Sequence, residues 1–159
     1  MGGSSARTVA EPESGGEAVP IPRGFQCGGG TRDQQEPGAD VTIPDTFVWV
    51  EVLRNREPVH ARLKSLLERG EVLGVECVFG ELLSGAWSGR ETAVLELYWK
   101  SLPKLDEAGI WIEAGKLSAS RRLHSRGVGL IDAAILAAAV RAGAEIWTLD
   151  RKLADAARK

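Results

Sequence analysis

Cysteine and histidine are scarce in this chain. Its 159 residues include two cysteines, Cys27 and Cys77, and two histidines, His60 and His124. Two cysteines in unlike contexts exclude a disulfide scaffold and any zinc site built on paired thiolates. Two histidines exclude a multi-histidine metal centre. No run of 18 apolar residues exists, so no segment reads as a membrane-spanning helix. The longest apolar stretch, around Ala133 to Val140, is short and alanine-rich. An excess of one charge is missing too. With 20 Lys+Arg against 22 Asp+Glu, the net charge is −2. Composition therefore announces neither a nucleic-acid binder nor an acidic solvating protein. The start lacks a charged segment followed by an apolar one, so it is not a secretory signal. The expected location is the cytoplasm.

The average hides a break. Residues 1–40 contain no leucine and one aromatic residue, Phe25, but nine of the 19 glycines and four of the seven prolines. Such a segment cannot bury enough apolar surface to offset the entropy of ordering it. It reads as a disordered N-terminal extension, or as sequence ahead of a true start at Val41. Gly28-Gly29-Gly30 is not followed by Lys and Ser/Thr, so it is no phosphate loop. Residues 41–159 hold all five tryptophans and a near-balanced charge. They are expected to form one domain.

Signals alternate along that domain. Val41 to Pro44 reads as a short strand, and Thr46 to Arg54 as a short buried helix. Pro58 opens a helix with Val59, Leu63, Leu66 and Leu67 on one stripe, stopped by Gly70. Val72, Leu73 and Val75 suggest a second strand. Helices follow over 77–86, 92–102 and 110–126. The clearest helical period is Ile131, Ala134, Ile135, Ala138, Ala139 and Ala142, closed by Gly143. Glu145 to Thr148 is a strand and Arg151 to Arg158 a last helix. Strands alternating with helices predict an α/β fold with a parallel sheet between helical layers.

Four acidic residues are hard to explain as surface charge. Asp45 and Asp150 each end an apolar strand, Glu81 lies within Val-Phe-Gly-Glu-Leu-Leu, and Asp132 within Gly-Leu-Ile-Asp-Ala-Ala-Ile-Leu. A carboxylate in apolar surroundings is costly without compensation. Ligands of open α/β sheets bind outside the carboxyl ends of the strands, where this topology gathers all four. Clustered carboxylates cannot all stay ionised alone, and a hard divalent cation resolves this. Oxygen ligands suit Mg²⁺ or Mn²⁺ rather than zinc. Such an ion activates water for attack on a phosphodiester. The plainer reading of Asp45 and Asp150 is helix N-capping. Asp132 can serve a helix dipole, and Glu81 can pair with an arginine.

At these residues the sequence resembles PIN-domain ribonucleases of the VapC toxin type. Asp45-Thr46-Phe47-Val48 resembles the opening Asp-Thr-Ser segment of that family, and Glu81-Leu82-Leu83-Ser84-Gly85 its Glu-Leu-Leu-x-Gly. Gly129 to Ala138 resembles the third acidic motif, and Thr148-Leu149-Asp150-Arg151-Lys152-Leu153 the Thr-x-Asp-x-x-Phe ending. The resemblance covers nearly all of residues 41–157. It implies a PIN-like three-layer α/β/α fold and a Mg²⁺- or Mn²⁺-dependent endoribonuclease. It also implies a cognate antitoxin that holds the enzyme inactive, and a homodimer. Carried over, Asp45, Glu81 and Asp132 are the core metal ligands, and Asp150 is the fourth acid. Thr46 and Thr148 are placed to hydrogen-bond a ligand carboxylate. Three departures stand out. Phe47 replaces a small polar residue, Leu153 stands where Phe is usual, and Lys159 comes before the final strand many members carry.

Arg121, Arg122, His124 and Arg126 form a basic patch that suits RNA phosphates, or else a solvated helix face. Trp87, between Gly85 and Gly89, is the tryptophan best suited to stacking on a base, whereas the others read as core or interface. Cys77 reads as core packing. Two other readings compete. A phosphoacceptor receiver also places acids at strand ends, but Asp45 has no acidic neighbour and Lys152 lies two residues past Asp150. The other is a catalytically inactive PIN fold that binds RNA or protein.

Overall fold

The computed structural model describes residues 41–158. The expected extension at 1–40 lies outside the described residues. Strand β1 (Thr42–Pro44) leads into helix α1 (Thr46–Leu53), and α2 (Val59–Arg69), α3 (Glu76–Ser84) and α4 (Gly89–Ser101) follow. Helix α5 (Ile110–Ser120), a 3-10 turn (His124–Arg126), α6 (Leu130–Ala142), β2 (Glu145–Trp147) and α7 (Arg151–Ala157) complete the order. Among the described residues no helix is long and apolar enough to cross a membrane.

The sheet is parallel and minimal. β1 pairs with β2 in the register Ile43 to Ile146. On its other side β1 meets Val72 through a single parallel bridge, and Gly74 bridges Lys104 beyond that. The expected strand at 72–75 is therefore only a pair of bridges. Three to four residues are too few for a period-two pattern to declare itself. Chain order across the sheet is third, second, first, fourth, so the direction of winding reverses between β1 and β2. That reversal is where open α/β sheets bind their ligands.

Helix boundaries follow local chemistry. Ser88 caps α4 by accepting the Glu91 N–H at 3.2 Å, and Glu91 Oε2 accepts from the Trp87 N–H at 2.8 Å. This reciprocal cap starts the helix at Gly89, three residues before the apolar signal begins. The expected helix over 110–126 stops at Ser120. The N–H of Leu123 turns back to the Ser118 carbonyl, and Arg122 adopts a left-handed φ of 51°. Residues 121–126 are thus a turn, so the basic patch does not lie on one helix face.

Trp49 anchors the core. Its ring sits 5.2 Å from both Phe79 and Tyr98 and ties α1 to α3 and α4. At 1% exposure its truncation to alanine should cost about 3–5 kcal/mol. Helix α6 buries every residue from Ala133 to Ala139. Its alanines leave room for α5 to pack closely against it. Cys77 is buried as a free thiol within this core.

Candidate active site

The site is assembled where helices begin. Asp45 follows β1 and is 2% exposed. Its Oδ1 accepts the Val48 N–H at 2.9 Å and caps α1. Its Oδ2 accepts a hydrogen bond from the Thr148 hydroxyl, which lies just past β2. The Thr148 hydroxyl in turn accepts the Asp150 N–H at 2.9 Å. Asp150 Oδ1 caps α7 by accepting the Lys152 N–H at 2.7 Å. One chain of contacts therefore joins the carboxyl ends of the two strands. Capping and clustering, weighed as alternatives above, coexist in the same side chains.

The other two acids enter from the neighbouring helices. Thr46, in the first turn of α1, donates its hydroxyl to Glu81 Oε2 on α3 at 2.5 Å. Glu81 is exposed, unlike Asp45, because it lies on the outer face of α3. Asp132, in the first turn of α6, accepts the Gly129 N–H at 3.0 Å. No ion pair joins Glu81 to an arginine among the described residues.

The electrostatics couple these groups. Burial pushes the Asp45 carboxyl above its ordinary range, against the Thr148 hydroxyl and the N–H groups of Val48 and Leu149. The negative charge of Asp132 pushes it further the same way. Asp132 is also raised, first by burial and then by Asp150 and Glu81, with the Gly129 N–H and Lys152 opposing. All four acids thus share one electrostatic neighbourhood.

Lys152 is the cation of that neighbourhood. A Cβ on Gly127, which adopts a left-handed φ of 75°, would stand 3.1 Å from Lys152 Nζ. The glycine therefore leaves the space this ammonium uses. The sequence weighed Lys152 only as a misplaced receiver lysine and gave it no role at this site, because a lysine two residues into a helix reads as solvated charge.

The basic residues do not act as one patch. Arg121 lines a cleft beside β2, while the guanidinium of Arg126 approaches the Asp155 carbonyl at 3.5 Å. Arg122 and His124 are exposed. Arg62, which drew no attention in the sequence, stacks 4.3 Å over the Trp147 ring. Trp87 is 95% exposed, and Phe47 also faces solvent.

An all-oxygen donor set fits a hard divalent cation, and the raised Asp45 and Asp132 carboxyls are what added positive charge would relieve. Yet among the described residues no three His, Cys, Asp or Glu side chains stand together closely enough to hold one ion as they are.

Comparison with known proteins identifies the family. The PIN domain family model matches residues 42–159. Ribonuclease VapC32 from Mycobacterium tuberculosis is 34% identical over 115 residues, covering 70% of this chain and 86% of the relative, in the CDC 1551 / Oshkosh and ATCC 25618 / H37Rv strains alike. On the match of nearly the whole described domain and the identity to this relative, the chain belongs to the VapC-like PIN-domain family.

Proposed function

We propose that this protein is a Mg²⁺- or Mn²⁺-dependent endoribonuclease and the toxin of a type II toxin–antitoxin pair. What supports the reading is that Thr148 and Thr46 hydrogen-bond Asp45 and Glu81 beside the reversal point of the sheet, with Asp132 and Asp150 in the same electrostatic neighbourhood. The relative named as a ribonuclease supports the choice of RNA. Asp45, Glu81 and Asp132 would hold the ion, with Asp150 as the fourth acid. When bound, the ion supplies a more acidic water and charge stabilisation at the phosphate.

The chain's own residues set up the rest. The Thr148 hydroxyl fixes the rotamer of Asp45, and the Thr46 hydroxyl fixes that of Glu81. Lys152 places a positive charge beside Asp132, which suits an anionic backbone. Arg121, Arg122 and Arg126 lie on the turn leading into α6 and are the candidate phosphate contacts, along with Thr46 and Thr148. An antitoxin and a second copy of the chain are the proposed protein partners, and the cytoplasm the proposed location.

The test is cleavage of a mixed RNA pool by the full chain, with Mn²⁺ or with EDTA. Asp132→Asn keeps an oxygen for the Gly129 N–H and so preserves the start of α6. It should lower the rate by ~100-fold or more, since even residues behind the ligands cost 10–100-fold. Circular dichroism should stay unchanged. Full activity in that variant, or in EDTA, overturns the proposal. Tight Mn²⁺ binding by a wild-type chain that cleaves nothing would favour an RNA- or protein-binding module instead.

A further inference from the structure

Two of the four acids stand at helix starts, Asp45 as the cap of α1 and Asp132 in the first turn of α6. The same two turns expose apolar side chains. Phe47 is 61% exposed, although Val48 and Trp49 after it are buried. Leu130 and Ile131, next to Asp132, are exposed as well. Packing of the core accounts for none of these three. Single exposed apolar residues are ordinary. These three adjoin carboxylates that share one electrostatic neighbourhood, and apolar exposure gathered at one place marks a binding surface.

The backbone of Phe47 is held from both sides. The Val48 N–H donates to Asp45 Oδ1 and fixes the first turn of α1. The Thr46 hydroxyl donates to Glu81 on α3. Phe47 lies between Thr46 and Val48, so its position beside the acids is set while its ring stays in water. An aromatic side chain with two rotatable bonds, presented from a fixed backbone, loses little entropy when a ligand covers it.

The surroundings of the ring choose the ligand. Carboxylates and apolar side chains alternate here, Asp45 beside Phe47 and Asp132 beside Leu130 and Ile131. An apolar patch on a protein partner would strip water from those carboxylates, which is costly without compensating cations. A nucleic-acid strand has the matching alternation: phosphates that a cation on the acids would hold, and flat bases between them. Lys152 adds positive charge beside Asp132 for a neighbouring phosphate. Stacking is the contact that an exposed phenyl ring makes with an unstacked base.

We propose, on the reading that this site acts on RNA, that Phe47 stacks on a nucleobase adjoining the phosphate held at the acids. Phe47 is then a substrate-binding residue, and Leu130 and Ile131 extend the apolar contact at α6. The test uses the full chain, a mixed RNA pool and Mn²⁺. Filter retention in the first seconds of mixing reads binding, and the later time course reads cleavage. Phe47→Leu keeps an apolar side chain without an aromatic face, whereas Phe47→Tyr keeps the face. Leu97→Ala, at an exposed apolar position of α4, is the control. Phe47→Leu is expected to weaken binding and raise the apparent KM by at least ~5-fold, with kcat changed less than about twofold. Phe47→Tyr and Leu97→Ala should match wild type, and all variants should melt together. Equal binding in Phe47→Leu and wild type, or equal losses in Phe47→Leu and Phe47→Tyr, overturns the proposal and leaves the nuclease reading standing. A wild-type chain that binds the pool, loses it in Phe47→Leu and cuts nothing keeps the stacking role and refutes the nuclease. A chain that neither binds nor cuts RNA overturns both. A wild-type dimer that Phe47→Leu dissociates in size-exclusion chromatography assigns the ring to a second copy and overturns the stacking role.

Discussion

Asp45 is almost fully buried, yet each of its carboxylate oxygens has a donor. The Thr148 hydroxyl is one of the two, so Thr148→Val leaves a buried acceptor short of a partner. The expected loss is about 1–3 kcal/mol of stability, read from urea unfolding. Thr46→Val removes a similar contact from the exposed Glu81 and should cost under ~0.5 kcal/mol, while still lowering RNA cleavage. A loss of equal size in both variants would contradict this division. Cys77 offers a second check at this scale. Burial pushes its thiol up to about 12, so the nucleophilic thiolate is scarce at neutral pH. In a Cys27→Ser background, Ellman's reagent should label no thiol until denaturant is added. The four acids drew attention because each adjoins apolar sequence. Lys152 and Arg62 were not, because a cation declares a partner only after folding has supplied one.

Helix α3 shows how an element is completed from outside itself. Its N-cap, Val75, has no side-chain acceptor, and the Glu76 N–H instead donates to Glu107 Oε1 at 2.6 Å. Burial raises the Glu107 carboxyl above its ordinary range, more than the Glu76 N–H lowers it. The folded form therefore holds this proton more tightly than the unfolded chain. Its contribution is fully present below the unfolded value of about 4.3. It is lost as pH rises through the higher folded value. Glu107→Gln keeps an acceptor and cannot ionise, so it should gain stability relative to wild type between pH 4 and pH 7. Denaturant melts at the two pH values measure this, and a constant difference would refute it. The same reasoning explains what the sequence reading reached. Long stripes such as Leu63, Leu66 and Leu67 declare their helix. The starts of α3 and α4 and the end of α5 depend on caps and turns that no apolar period encodes.

For the whole molecule, the parallel sheet is a thin seam between large helical layers. The α/β class was legible from the alternation of signals, whereas the extent of the sheet depends on bridges one residue long. A cation bound at the junction of β1, β2, α3 and α6 would tie these elements together in the folded state alone. Mn²⁺ at 100 times its dissociation constant should then stabilise the full chain by about 2.7 kcal/mol. Thermal melts should show the shift in wild type and its loss in Asp132→Asn. An identical shift in both would place the ion elsewhere. The three aspartates carry one more consequence, because each also receives the N–H that opens a helix. Alanine at any of them would erase a helix start as well as a charge. Asparagine keeps the accepting oxygen, and one transition in an aspartate codon produces it. Mutational drift therefore has a short path to a copy of this protein that keeps all three helix starts while losing the charge of these aspartates.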